Sequence, residues 1–182
     1  MIKGATRPLS TFNDALTREL ADLYDAEHQL IERLPKIACI VATPTLRLAI
    51  QEHVNEAHAQ ADRLERIFSL LDNEPHSAAS EGMTGILKAA DEVCANPGDS
   101  IVKDAVLIGA LQRAEYYQIA AYVTARTFAE QLELDDIADL LQESLDEESV
   151  AHRRLTKIAE DRSGTDKPKP NASQGSDSRL TQ

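Results

Sequence analysis

The chain has 182 residues, no tryptophan, and 31 acidic against 19 basic residues, a formal charge of -12. That length suits one domain with a sizeable core, and the weight of Ala, Leu, Ile and Glu favours helices over sheets. So acidic a surface repels nucleic acid and anionic membranes, which excludes both as expected direct partners.

The opening MIKGATRPLS contains no apolar signal region and no apolar run is long enough to span a bilayer, so the expected setting is the cytoplasm. Cys39 and Cys94 match no metal spacing and are expected as buried free thiols, a single disulfide being the alternative.

Residues 1–9 read as a flexible leader. Thr11 with Asp14 three residues on forms a capping-box pattern, with Asp replacing the usual Glu. The first helix then runs to about Val41 and is expected to kink at Pro35, whose ring removes a backbone donor. Leu16, Leu20, Leu23, Leu30 and Leu34 recur at steps of three and four, the spacing of one buried face. Glu27 stands within that apolar seam.

The segment around Ala42-Thr43-Pro44 is short enough only for a tight turn, so the second helix returns antiparallel. Its face reads Leu46, Ile50, His53, Ala57, Gln60, Leu64, Ile67 and Leu71, with Glu56 at its flank. From Asp72 to Ser100 the breaks at Pro75, Gly82, Gly85, Pro97 and Gly98 enclose one short helix carrying Met83, Ile86, Leu87, Ala90 and Val93. So long a connection suits a crossover that lets the third long helix run parallel to the second. That helix, from about Ile101 to Leu132, shows the face Ile101, Ala105, Ile108, Leu111, Glu115, Gln118, Tyr122, Ala125 and Ala129. After a short break capped by Asp135, the last helix carries Ile137, Leu141, Ser144, Glu148, Ala151, Leu155 and Ile158, with Leu145 and His152 at the edge. Residues 163–182 lack apolar periodicity and read as a disordered tail, which leaves 10–162 as the bundle.

The polar interruptions fall at one depth. Folding the first hairpin about Thr43 brings Glu27 within a turn of Glu56 and Gln60; folding the second about Leu134 brings Glu115 beside His152 and about a turn from Glu148. The tolerance of this argument is one helical turn, about 5 Å. Four carboxylates in a dry bundle need protons or cations between them, since an unpaired buried ion costs several kcal/mol. Two divalent ions would balance four glutamates, and iron first, manganese second, accept mixed oxygen and imidazole ligands.

The expected ligands are therefore Glu27, Glu56, Glu115 and Glu148, assisted by His53 and His152, with Gln60, Gln118 and Tyr122 orienting them from behind. The Glu-x-x-His spacing of many dimetal carboxylate bundles is absent: Ala59 and Ala151 stand three residues after Glu56 and Glu148. His53 lies three before Glu56 and His152 four after Glu148, spacings that also share a helix face. The competing reading pairs Glu115 and Glu148 with Arg113, Arg126 or Arg153 and makes the protein a silent helical dimer. His28, His58 and His76 are expected to face solvent, and no Ser-His-Asp or Cys-His arrangement points to hydrolysis.

The segments Leu23-Tyr24-Asp25-Ala26-Glu27-x-Gln29-Leu30, His53-x-x-Glu56-x-His58-x-Gln60, Glu115-x-Tyr117-x-Ile119-Ala120-x-Tyr122 and Glu147-Glu148 resemble the YciE/YciF family of ferritin-like bacterial stress-response proteins. The resemblance spans about residues 10 to 160. It implies an all-α, ferritin-like four-helix bundle with a long crossover carrying a short extra helix, a homodimer, and a dinuclear metal centre open to oxygen or peroxide. Two departures stand out. Glu115-Tyr116-Tyr117-Gln118 replaces the family's common Glu-His-Tyr-Glu, and His152 stands where an Asp commonly follows the paired glutamates.

Overall fold

The computed structural model describes residues 9–163; most of the expected leader and tail lies outside the described residues. Five helices follow in order, α1 (Phe12–Ile40), α2 (Pro44–Leu70), α3 (Glu81–Ala95), α4 (Ser100–Gln131) and α5 (Asp135–Ser163), with no strand among the described residues. None of these helices is long and apolar enough to cross a membrane.

The helix ends form as their residues dictate. Thr11 Oγ1 accepts from the Asp14 amide at 3.1 Å while Asp14 Oδ2 accepts from the Thr11 amide at 3.0 Å, so the capping box is complete. Helix α1 continues through Pro35 without a break. Pro44 occupies the first turn of α2, where its missing N–H costs nothing. Asp135 is the first residue of α5 rather than its cap, and with Asp136 it places negative charge at the positive end of the helix.

Contacts between helices fix the topology. Tyr24 bonds Glu65 and Phe12 stacks on Phe128, while Ala42 and Thr43 bond Asp104. Helix α1 therefore runs antiparallel to both α2 and α4, which makes α4 parallel to α2, as the crossover requires. Gln112 meets Thr156 and Arg126 meets Gln142, the register that a fold about Leu134 produces for α4 against α5.

One expected face is shifted. Ile101 is 46% exposed and Ala105 also faces solvent, and the inward row at the start of α4 is Asp104, Leu107, Ile108 and Leu111. Asp104 is almost fully buried because the α1–α2 turn needs it: its carboxylate accepts from the amides of Ala42 and Thr43 at 3.2 and 2.8 Å. The cysteines also differ from expectation. Both are free, but Cys39 is exposed and Cys94 half-buried.

The crossover is fastened to α1 and α4 by polar contacts. The Ala78 amide donates to the Ala21 carbonyl at 3.0 Å, and the Ser80 amide to Asp25 at 2.9 Å. Tyr117 donates its hydroxyl to Asp22 at 2.6 Å and lies 2.8 Å from the Ser80 hydroxyl. The edge of its ring abuts Gly82, where a Cβ would fall against Cε2, inside the van der Waals envelope of the ring. Because both hydroxyl contacts pin the ring, it has little room to give. Gly82→Ala is expected to destabilise the protein by roughly 1–3 kcal/mol in urea unfolding, and to cost little when Tyr117→Ala is already in place.

Candidate metal centre

The core is divided into two apolar blocks. One gathers Leu30, Leu34, Leu46, Ile50, Leu107, Leu111 and Leu155; the other gathers Leu16, Leu20, Leu64, Phe68, Ala125, Ile137 and Leu141. Between them lies a polar layer contributed by all four long helices. Glu27 and Glu148 are fully shielded from solvent, Glu115 and His53 nearly so, and Gln60, Gln118 and Tyr122 are completely buried.

One ligand atom from each of His53, Glu115 and Glu148 lies within 4.8 Å of the others. His53 Nδ1 is 3.5 Å from Glu56 Oε2 and 3.8 Å from Glu115 Oε1. Glu27 faces the same group through the charges of Glu148 and His53. Its Oε1 accepts from Tyr122 Oη at 2.6 Å and Gln118 Nε2 at 2.7 Å. These two donors hold the carboxyl in one orientation and leave Oε2 without a partner. Gln60 Nε2 donates outward to Glu147 at 3.1 Å, where Arg63 also binds Glu147 and Ser144.

His152 does not join this group. Its ring stacks on Tyr116 at a centroid distance of 4.2 Å, and its Nε2 lies 3.5 Å from Thr156 Oγ1. A position four residues after Glu148 carries it around the helix toward α4 rather than into the layer. Sequence reasoning missed Arg154, which faces the layer from α5: its guanidinium bonds Glu56 Oε1 at 3.1 Å and approaches Glu52 Oε2 at 3.3 Å. The arginines expected as partners are elsewhere. Arg113 and Arg153 are exposed, and Arg126 bonds Gln142 and pairs with Glu130. His28, His58 and His76 face solvent, as expected.

The electrostatics follow from burial. Glu27 is pushed up to about 8 by desolvation, with the Glu148 charge adding to it and Tyr122, His53 and Gln118 opposing. Glu115 is likewise pushed up to about 8, chiefly by burial. Glu148 is raised well above the carboxylate range by burial and then by the Glu115 charge. Burial alone would depress His53, yet Glu56, Glu148 and Glu27 together raise it. Glu56, half-buried, is lowered by His53 and Arg154.

The residues fit a metal. Both ring nitrogens of His53, both oxygens of Glu148, and one oxygen each of Glu27, Glu56 and Glu115 are buried without a hydrogen-bond partner. Buried polar atoms in native proteins are normally satisfied, and so many acceptors converging on one layer suit a cation. Carboxylate oxygens with one imidazole suit iron or manganese.

The metal-free protein should show the cost of this layer in its pH dependence. Glu27 and Glu115 keep their protons up to about 8 in the folded state and lose them near 4.5 when unfolded. Between those values the folded state binds more protons, so stability falls as pH rises, on the order of 1 kcal/mol per pH unit for each such carboxyl. Glu56, held low, works in the opposite sense, its contribution being lost only as pH drops below 4.5. Urea unfolding of metal-free protein is expected to give a declining stability from pH 5 to 8, and Glu27→Gln a shallower decline.

The comparisons with known proteins agree with this architecture. A family model described as a domain of unknown function, DUF892, matches residues 11–167. YciF of Escherichia coli K12 is 35% identical over 152 residues, covering 83% of this chain and 92% of its own. The crystal structure of that E. coli stress protein superposes with a TM-score of 0.83, at 33% identity, covering 87% of this chain and 100% of the other. YcfI of Rhodopseudomonas palustris gives 0.82 at 33% identity, over 85% and 99% of the two chains. With the bundle, the polar layer and these matches together, the chain belongs to the DUF892 family, that of YciF.

Proposed function

We propose that the protein is a ferritin-like stress-response protein whose carboxylate layer holds a dinuclear iron or manganese centre and uses it to oxidise ferrous iron or to consume peroxide. The observation that carries this reading is the convergence of unpartnered ligand atoms from His53, Glu115 and Glu148 within 4.8 Å, between two apolar blocks. Glu27 and Glu56, whose free oxygens face the same layer, complete the ligand set.

His53, Glu115 and Glu148, with Glu27 and Glu56, would hold such a centre, which when bound would supply the two electrons that, with two protons, reduce hydrogen peroxide to two waters. The chain's own part is to prepare the layer. Tyr122 and Gln118 donate to one oxygen of Glu27 and so aim the other inward. Glu115 and Glu148 hold protons in the metal-free state and surrender them to a cation. The apolar blocks exclude bulk water, which strengthens every electrostatic contact within. The setting is proposed to be the cytoplasm. The family resemblance supports a homodimer, as do the exposed Val102, Val106, Tyr116 and Val123 on α4.

A second reading makes the protein a silent structural dimer. Two observations favour it: the Rhodopseudomonas palustris relative has been proposed to be structural, and Arg154 already neutralises Glu56. Metal analysis separates the two. Protein purified without chelator, or reconstituted with ferrous or manganous ion, is expected to carry about two ions per chain. Glu27→Ala with Glu115→Ala should abolish that binding. At a metal concentration a hundredfold above its dissociation constant, unfolding should require about 2.7 kcal/mol more than in the metal-free protein. Absence of metal after reconstitution would leave the structural reading.

A further inference from the structure

We infer that the gap between α2 and α5 beside Arg154 is the route by which the oxidant reaches the carboxylate layer, and that Arg154 is its latch. The route is specific for an uncharged oxidant no larger than hydrogen peroxide. This inference rests on the metal-centre reading and adds the substrate class and the residue that sets it.

The layer is covered by the two apolar blocks at either end, and by the crossover, fastened through Ser80 and Tyr117, on the α1–α4 side. Across the lower part of the α2–α5 seam, Arg63 is bound to Ser144, Glu143 and Glu147. Higher on the same seam the packing opens. A cavity of about 10 Å³ reaches both His53 and Glu115, and its remaining wall includes Leu34, Ile50, Leu111 and Leu155. That volume accommodates about one water molecule. Outside it lies a groove of about 450 Å³, and the two spaces share Ala49 and Arg154.

Arg154 is thus the partition between solvent and the layer. It is held by Glu52 at 3.3 Å and Glu56 at 3.1 Å, with the arginine side chain 29% exposed and Glu52 46% exposed. The Glu52 pair is open to water and weak, and the Glu56 partner is 24% exposed, so the guanidinium swings aside by releasing Glu56 without disturbing the apolar blocks. The opposite walls are the small side chains of Ala49 and Ala151, which set the bore. A charged species entering a passage lined by leucine and isoleucine would lose its hydration without replacement. Dioxygen has little hydration to lose, hydrogen peroxide, being uncharged, loses far less than an ion, and an organic hydroperoxide is too bulky for the bore.

The test uses the full chain loaded anaerobically with ferrous ion, every rate being expressed per bound iron. Nitric oxide, uncharged and the size of dioxygen, serves as a binding probe followed by stopped-flow absorbance, independent of turnover. Ala49→Leu is expected to slow nitrosyl formation roughly tenfold, the effect of about 1.4 kcal/mol added to the access barrier. Arg154→Ala is expected to raise the rate with tert-butyl hydroperoxide relative to that with hydrogen peroxide roughly tenfold. Should Ala49→Leu fail to fold, Ala49→Val and the Arg154→Ala comparison carry the test. If the wild-type chain binds iron and reacts with peroxide, yet the nitric oxide rates and the hydroperoxide preference are unchanged in the variants, the route lies elsewhere and the inference is overturned. If the wild-type chain binds no iron, the metal-centre reading fails and takes the inference with it.

Discussion

Everything in this bundle is arranged around one electrostatic problem, the burial of several like charges at a single level. Glu27, Glu115 and Glu148 lie out of contact with solvent, and none is bonded to a guanidinium among the described residues. A proton on such a carboxyl solves the problem only at a cost. Holding it at pH 7, against an unfolded value of 4.5, requires about 3 kcal/mol per group. Two or three such groups would consume much of the roughly 5–15 kcal/mol that stabilises a typical domain. A cation removes that cost, which is why the layer makes physical sense as a binding site and poor sense as a packing device.

The rest of the structure keeps the layer in register. Helices α1 and α4 lie antiparallel because the crossover returns the chain to the end from which α2 began, and that places Gln118 and Tyr122 opposite Glu27. Asp104 fixes one end of the pair by binding the α1–α2 turn, and the Phe12–Phe128 contact marks the other. Asp22, Ser80 and Tyr117 then hold α3 in place over the middle. A slip of one residue along α4 would carry Glu115 and Gln118 off the inward face, so these ties contribute to the site as much as to stability.

Much of this was legible in the residues themselves. Glu27 interrupts a leucine seam, and His53, Glu115, Gln118 and Glu148 interrupt theirs at matching distances from the turns; periodicity alone finds such residues. Ile101 and Ala105 were misplaced because Asp104 satisfies two backbone amides of another element, a demand that no local pattern reveals. His152 was misplaced because a four-residue step is compatible with the inner face or its edge, and the Tyr116 ring decides between them. Arg154 was invisible for a different reason. A long cation on a helix flank reads as solvated, and only the tertiary approach of Glu52 and Glu56 turns it inward.

The two departures from the common family pattern now have separate meanings. At position 118, where the family resemblance implied an acid, this chain has an amide, and the amide is a donor: Gln118 Nε2 binds the same Glu27 oxygen as Tyr122. A glutamate there would have added a further negative charge against a carboxyl already raised to about 8. The exchange therefore lowers the charge of the layer and fixes the orientation of one ligand, at the loss of one potential oxygen donor. At position 152 the imidazole lies against Tyr116, so it gives the layer nothing to replace what was removed. The remaining set is four glutamates and one histidine, of which Glu56 is shared with Arg154. A pair of divalent ions needs four negative charges for neutrality, and Glu56 can supply the fourth through Oε2 while Oε1 stays on Arg154. The latch and the ligand set are in this way one device, because the guanidinium that closes the passage also shares and orients the fourth carboxylate.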